Sequence, residues 1–107
     1  MQALVVDTET TGNEPAEVIE LAWLALGTYS KFSQRFKPRG PIAYGAFATH
    51  HILPEELEDC EPSQAAALPS SCEYIIGHNI DYDWEALGKP PVKRICTLAM
   101  ARTFYPE

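Results

Sequence analysis

Short apolar runs alternate with polar turns along the chain, and this pattern predicts an α/β domain. Residues 3–6 form a continuous apolar run ending at an aspartate, which predicts a strand buried on both faces at the centre of a sheet. The apolar residues 18–26 and the alternating residues 29–36 flank a Gly-Thr turn signal. They predict a β-hairpin whose second strand lies near the sheet edge.

The remaining segments predict short helices between two further strands. Residues 42–53 are expected to form a helical turn and loop, followed by a helix from Pro54 to about residue 58 and a weaker helical piece at 64–68. Strands are predicted at 74–77 and 92–96, and helices at 81–87 and 98–104, with Gly88 ending the first helix and Thr97 capping the second. The order predicts a mixed sheet of about five strands, led by an antiparallel three-stranded meander.

Composition narrows the class of protein. The 107 residues suit a single small domain, and 46% hydrophobic residues suffice for a core. Neither a membrane-spanning run nor a secretory signal is present in the sequence, so we expect a cytoplasmic protein with no membrane partner. Three cysteines without C-x-x-C spacing indicate free thiols. The net charge of −7 disfavours a broad basic surface for nucleic acid, but it permits an acidic site neutralised by metal.

Two carboxylates, Asp7 and Glu9, follow the first predicted strand. Their i, i+2 spacing places both side chains on one face, where each disfavours ionisation of the other. A cation relieves this repulsion, and hard oxygen ligands select Mg²⁺ or Mn²⁺ over zinc. The residues between and after them are expected to bring backbone N–H groups near a phosphate or nucleotide; they are Thr8, Thr10, Thr11 and Gly12. The alternative is an ordinary solvated strand end.

A second acidic segment follows the strand predicted at 74–77. Residues 77–83 read Gly-His-Asn-Ile-Asp-Tyr-Asp and open a helix. The helix dipole stabilises a carboxylate in the first turn. If the two strands are neighbours, Asp83 meets Asp7 and Glu9. The alternative is that Asp81 and Asp83 are ordinary first-turn acids.

Together these segments resemble the DEDD, or DnaQ-like, family of 3′–5′ exonucleases. Residues 5–12 look like the first motif of the family, and residues 78–83 look like the second, H-N-x-x-x-D with an aromatic before the aspartate. Residues 19–22 match its E-I-A strand, and residues 48–52 resemble its T-H-G-I segment, with His51 in place of glycine. Residues 94–106 are most similar to the bacterial exonuclease X branch. The resemblance covers nearly the whole chain in the right order.

The resemblance implies a ribonuclease-H-like fold and two-metal hydrolysis of phosphodiesters. Asp7, Glu9 and Asp83 would be catalytic and would hold two Mg²⁺ or Mn²⁺ ions about 3.5–4 Å apart. One metal would activate water and the other would stabilise the leaving 3′-oxygen. Substrate-binding residues would be Thr8, Thr10, Thr11, Gly12, His50 and Asn79, with Asn79 ordering the second-motif loop. The partner would be a nucleic-acid 3′ end, with DNA favoured over RNA.

The third motif of the family, H-x-x-x-x-D or Y-x-x-x-D, has no counterpart after Asp83. Its Asp is the fourth carboxylate of the family, and its His or Tyr is the general base, which contributes about 10²–10⁴ in rate. We therefore expect residues 1–107 to form an incomplete exonuclease domain that lacks the C-terminal helix, binds one metal ion or none, and is weak or inactive alone. An uncovered sheet face would favour a homodimer. The alternative is a catalytically inactive binding or dimerisation module.

Several residues keep two interpretations. His50 and His51 are substitute bases or metal ligands on one view, and solvated or capping residues on the other. Trp23 and Trp84 are expected in the core. Two aromatic residues are candidates for base contacts, Phe47 and Tyr82. A short basic stretch either meets a nucleic-acid backbone or protects an edge strand by charge; its residues are Lys31, Arg35, Lys37 and Arg39.

Overall fold

A computed structural model describes residues 2–104 and contains one six-stranded mixed sheet with three α-helices. The strands are β1 (Gln2–Thr10), β2 (Val18–Ala25), β3 (Lys31–Lys37), β4 (Glu61–Pro62), β5 (Cys72–Gly77) and β6 (Lys93–Cys96). The α-helices are α1 (Tyr44–His50), α2 (Ile80–Ala86) and α3 (Thr97–Phe104), and short 3₁₀ helices span Pro54–Leu57 and Ser63–Ala65. The strands lie in the order β4-β3-β2-β1-β5-β6.

The predicted hairpin and the central strand are confirmed. β1 pairs antiparallel with β2, and β2 pairs antiparallel with β3, while β5 runs parallel to β1 on its other side. The α/β class and the three-stranded meander are therefore as expected. The sheet gains a sixth strand because the two residues of β4 pair with the end of β3. A two-residue strand has too few positions to show an alternating pattern in the sequence.

The core lies between one face of the sheet and α2. Leu4, Val6, Leu21 and Ile75 from the strands pack with Ile80 of α2, and all five are buried. Both tryptophans are partly buried and pack against this cluster, as expected. A smaller cluster under residues 42–60 is formed by Ile19, Ile52 and Leu57. Burial of these side chains fixes the register of β1 relative to β5 and brings the ends of both strands to one edge.

The opposite face of the sheet corrects one prediction. The run at residues 3–6 is not buried on both faces, since Val5 is 38% exposed while Leu4 and Val6 are buried. Val5 lies in a row of paired residues that crosses the sheet, Lys31–Leu24–Val5–Ile76–Ile95. Ile95 is also 38% exposed. The apolar run therefore indicates a central strand, but Val5 and Ile95 remain partly exposed on this face, which we call the open face.

The helices follow the predicted order with small shifts. Thr97 is the first residue of α3 rather than its cap, and the helical pieces after residue 53 are single 3₁₀ turns. The described part of the chain has no helix that is both long and apolar enough to span a bilayer. All three cysteines are free thiols, and of these Cys72 is buried.

Candidate active site

The end of β1 carries the first two candidate carboxylates. The burial pattern alternates along β1, with Thr8 and Thr10 on the buried face and Asp7 and Glu9 on the other. The predicted common face of Asp7 and Glu9 is therefore present. Opposite Glu9 on β2 lies Glu20, which adds a third carboxylate to this end of the sheet. Sequence reasoning gave Glu20 no role, and only the β1–β2 register reveals it.

The third predicted ligand reaches β1 from α2. Asp83 is only 6% exposed in the first turn of α2. Its Oδ1 accepts the backbone N–H of Thr8 at 3.1 Å and also accepts a hydrogen bond from the Thr8 hydroxyl. Asp83 therefore reaches the end of β1 at Thr8, the residue between Asp7 and Glu9. Asp81 is an ordinary surface acid, which pairs with Arg94 at 2.8 Å.

The carboxylates at this end of the sheet raise one another's pKa values. Burial raises the pKa of Glu9, and the charges of Asp7, Glu20 and Asp83 raise it further. Burial likewise raises the pKa of Asp83, and Asp7 adds to the rise, although both Thr8 hydrogen bonds counteract it. The pKa of Asp7 is raised first by partial burial and then by Glu20. Such a group of raised carboxyl pKa values marks a place where a cation would be stabilised.

The side chains at this site are of the right chemical type to bind a metal ion, but their positions fit a metal site only in part. Carboxylate oxygens are the ligands that Mg²⁺ and Mn²⁺ prefer. Between residues 2 and 104, however, no three His, Cys, Asp or Glu side chains come close enough together to hold a metal ion. The Thr8 hydrogen bonds occupy Oδ1 of Asp83 and hold it beside Thr8. Asp7 and Glu9 are therefore the two carboxylates best placed to bind a metal ion. Asp83 could add only its second carboxylate oxygen, Oδ2.

A small pocket of about 240 Å³ opens beside Glu9. It brings together four of the predicted substrate-binding residues, Thr8, Thr10, Gly12 and His50. The other lining residues are Glu9, Ala46, Thr49 and Tyr82. Tyr82 reaches across to Thr10, with 2.7 Å between the two hydroxyl oxygens. Of the two aromatic candidates for base contact, Tyr82 lines this pocket, whereas Phe47 is not among its lining residues.

Two predicted substrate residues lie outside this pocket. Thr11 is buried, and its backbone and hydroxyl bond to the backbone of Glu17. Asn79 precedes α2 in a left-handed conformation, and its carbonyl accepts the N–H of Tyr82. Both residues shape the loops that hold the site.

His50 is held by the backbone on both sides of its ring. The N–H of Ile52 donates to Nδ1 at 3.0 Å, so Nδ1 carries no proton. The other nitrogen, Nε2, lies 3.2 Å from the carbonyl oxygen of Thr10, which can only accept, so Nε2 carries the proton. This neutral tautomer leaves neither nitrogen free as a base or metal ligand. His51 ends α1 in a left-handed conformation and is exposed.

Three of the four cations in the basic stretch, Arg35, Lys37 and Arg39, are paired with acids. Arg35 binds Glu20 at 3.1 Å and Glu56 at 2.7 Å. Looser pairs follow it along the chain, Lys37 with Glu58 at 3.8 Å and Arg39 with Glu17 at 3.9 Å. These contacts favour the interpretation as a charged, protected edge over the interpretation as a phosphate-binding surface.

The known proteins that this chain resembles are exonucleases. No family model matches the sequence. The chain is 28% identical over 107 residues to exodeoxyribonuclease 10 of Escherichia coli K12, covering 95% of this chain and 48% of the relative. The chain therefore spans about half the length of that curated relative.

Solved structures give the same result. Exonuclease X in complex with 5′ overhanging duplex DNA matches with a TM-score of 0.81 and 28% identity, over 97% of this chain and 64% of that one. The zinc-bound form of an Escherichia coli exonuclease I complex with single-stranded DNA matches with a TM-score of 0.75. That match covers 97% of this chain and 29% of exonuclease I, and at 19% identity it shows the fold alone.

Proposed function

We propose that this chain, a homologue of exodeoxyribonuclease 10 within the DnaQ-like exonuclease family, forms a metal-dependent 3′–5′ exonuclease domain. The observation that carries the proposal is the meeting of Asp7, Glu9 and Asp83 at one end of the sheet, each with a raised pKa. Homology supports the nuclease class, and the carboxylates support the metal.

In this proposal Asp7 and Glu9 would hold Mg²⁺ or Mn²⁺, with Asp83 beside them at the end of β1. When bound, the metal would supply a more acidic water and would neutralise charge on the phosphodiester. The zinc-bound exonuclease I structure supports a divalent ion in this fold. Thr8 would keep Asp83 beside β1 through its two hydrogen bonds. His50, fixed on the carbonyl of Thr10, would form a wall of the pocket for the terminal nucleotide of a DNA strand.

The activity of these residues alone is expected to be low. His50 is the one histidine among the described residues that line the pocket beside Glu9, and both of its ring nitrogens are engaged by the backbone. Without a positioned base, a rate contribution of about 10²–10⁴ is missing. One metal ion, held chiefly by Asp7 and Glu9, is the expected stoichiometry for residues 1–107.

Calorimetric titration with Mn²⁺ tests this proposal. We expect a measurable binding heat for the chain, its loss in Asp7→Ala, and its retention in Asp81→Ala, whose carboxylate pairs with Arg94 instead. A 5′-labelled oligonucleotide incubated with Mn²⁺ should then shorten slowly in single-nucleotide steps. Equal heats in all three proteins, or no heat in any of them, would contradict the metal site.

A second candidate function is an interaction module that keeps the fold without turnover. The open face favours it, because Leu24, Val5, Ile76 and Ile95 form a continuous apolar row across four strands. A groove of about 420 Å³ lies against this row and ends at Asp7. In this case a second copy would cover the open face. Sedimentation velocity over a range of concentrations should show a dimer that Val5→Asp abolishes, and a monomer throughout would eliminate this candidate.

A further inference from the structure

Charge is distributed unevenly along the chain. Of the 15 acidic residues, all but Glu107 precede residue 89. Residues 89–104 contain no Asp or Glu and four cations, which are Lys89, Lys93, Arg94 and Arg102. This segment forms the turn after α2, the edge strand β6 and helix α3. A polyanion that approaches a chain of net charge −7 is attracted most favourably to such an acid-free segment.

Ion pairing strengthens this asymmetry. On β3 and the turn that follows it, Arg35, Lys37 and Arg39 lie against glutamates. In the C-terminal segment, only Arg94 lies in an ion pair among the described residues, with Asp81. Lys93 instead places its ammonium 5.4 Å from the centre of the Tyr74 ring. Apart from Lys31 on β3, the cations that lie in no ion pair among the described residues are all in residues 89–104.

Two of these cations flank one cleft. Lys89 and Lys93 both line a cavity of about 470 Å³, together with Tyr74, Trp84, Pro90 and one acid, Glu73, so that two cations face one carboxylate. The indole N–H of Trp84 donates to the carbonyl of Pro90 at 2.9 Å, which fixes the ring in the wall. We call this feature the Lys89/Lys93 cleft. The guanidinium of Arg94 lies 3.8 Å from the centre of the Trp84 ring, so a third cation lies beside this wall. Cations that line a groove are what tracks the backbone of a single strand of nucleic acid.

The backbone at Lys89 is an independent sign of a role for its side chain. Lys89 has φ of 56°, in the left-handed region that favours glycine and asparagine. Its N–H bonds to the carbonyl of Trp84 and closes the end of α2. A lysine costs stability at this position relative to glycine or asparagine. Strained residues of this kind concentrate at binding sites.

We infer that the Lys89/Lys93 cleft binds the sugar–phosphate backbone of a single nucleic-acid strand, apart from the carboxylate site. The cleft lies near the start of β5, where Tyr74 pairs with Lys93. The carboxylates lie beyond the other end of β5. The inference rests on the proposed function, since it assigns the surface that holds the substrate strand away from the reacting 3′ end.

Fluorescence polarisation with a labelled single-stranded oligonucleotide, without divalent metal, tests the inference. The double variant Lys89→Asn/Lys93→Gln removes two cations from the cleft, and Lys37→Gln/Arg39→Gln removes two from the paired stretch. At 0.1 M salt, loss of two phosphate contacts should weaken binding about 25-fold, because each contact releases about 0.7 counterion per single-strand phosphate. The slope of log K against log salt should fall in magnitude by about 1.4 for the cleft variant. The control variant should bind like the unmodified chain.

A stability measurement separates binding from folding. Since asparagine tolerates the left-handed conformation better than lysine, Lys89→Asn should leave the melting temperature unchanged or raise it. Equal losses in both double variants, or an unchanged salt slope in the cleft variant, would overturn the inference. Neither result affects the proposed function, which the Mn²⁺ titration decides. No binding by the unmodified chain at low salt would likewise overturn the inference.

Discussion

Thr8 and Asp83 lie 75 residues apart in sequence, yet Thr8 donates two hydrogen bonds to one carboxylate oxygen of Asp83. The donors are the backbone N–H and the hydroxyl, and both partners are buried. This contact ties the first turn of α2 to the end of β1. It therefore joins the two acidic segments into one site.

Replacing Thr8 with valine should destabilise the protein by about 1–3 kcal/mol. Valine preserves the shape of the side chain but leaves a buried carboxylate without its hydroxyl donor. The pKa of Asp83, which the Thr8 hydroxyl lowers, should rise further. Urea unfolding at pH 7 measures the loss, and carboxyl chemical shifts during an acid titration measure the pKa change.

Thr8→Ser is the matched control because it keeps the hydroxyl. In Thr8→Ser, the pKa of Asp83 should stay close to its value in the unmodified chain. The free energy of unfolding should change less than in the valine variant. If the serine and valine variants had the same Asp83 pKa, the hydroxyl bond would have no energetic role.

Local pattern was enough to predict most of the fold. The alternation of Phe32 and Phe36 with charged residues identified β3, and the apolar run ending at Asp7 identified the central strand. Pattern could not reveal β4, which consists of two residues paired with β3. It also gave the wrong burial for Val5, because an apolar run records what a strand can bury and not whether another element covers it.

The site was predictable in its residues and less so in its contacts. The spacing of Asp7 and Glu9 fixes a common face, and the parallel pairing of β1 with β5 brings Asp83 to the same edge. By contrast, the role of Glu20 depends on the register of β2 against β1. The tautomer of His50 depends on two backbone groups that only the folded chain brings to its ring.

Asp7→Asn should stabilise the metal-free protein increasingly as the pH rises. The pKa of Asp7 is raised in the folded state, so its favourable contribution is complete below its unfolded pKa of about 4 and is lost as the pH rises through the folded value. The variant cannot ionise and avoids this loss. Thermal unfolding between pH 4 and 7, without metal, should show the gap widening in favour of Asp7→Asn.

Asp59→Asn is the control for this series, since Asp59 is an exposed acid on the loop after the 3₁₀ helix Pro54–Leu57. It removes the same charge and should not reproduce the widening gap. Added Mg²⁺ should stabilise the unmodified chain more than Asp7→Asn, because a ligand stabilises the state that binds it. The reverse order with Mg²⁺ would exclude Asp7 as a metal ligand.

Gly12→Ala should disturb the loop that follows the first motif. Gly12 has φ of +77°, and a Cβ there would lie 2.8 Å from the Cβ of Ala46 in α1. Gly27 has φ of +95° with open space around it, so Gly27→Ala carries the conformational cost without the clash. We expect Gly27→Ala to cost about 1 kcal/mol and Gly12→Ala about 1–3 kcal/mol more. Equal melting temperatures for the two variants would mean that α1 moves aside without cost.

Ile75→Ala and Val5→Ala should differ sharply in stability, because they lie on opposite faces of paired strands. Ile75 is fully buried against α2, and its truncation should cost about 2–5 kcal/mol through lost burial and an unfilled cavity. Val5 lies on the open face, so its truncation should cost less than about 1 kcal/mol in a monomer. Urea unfolding at low protein concentration provides both values. A cost for Val5→Ala that grows with protein concentration would instead show that a second copy covers the open face, since only association makes stability depend on concentration.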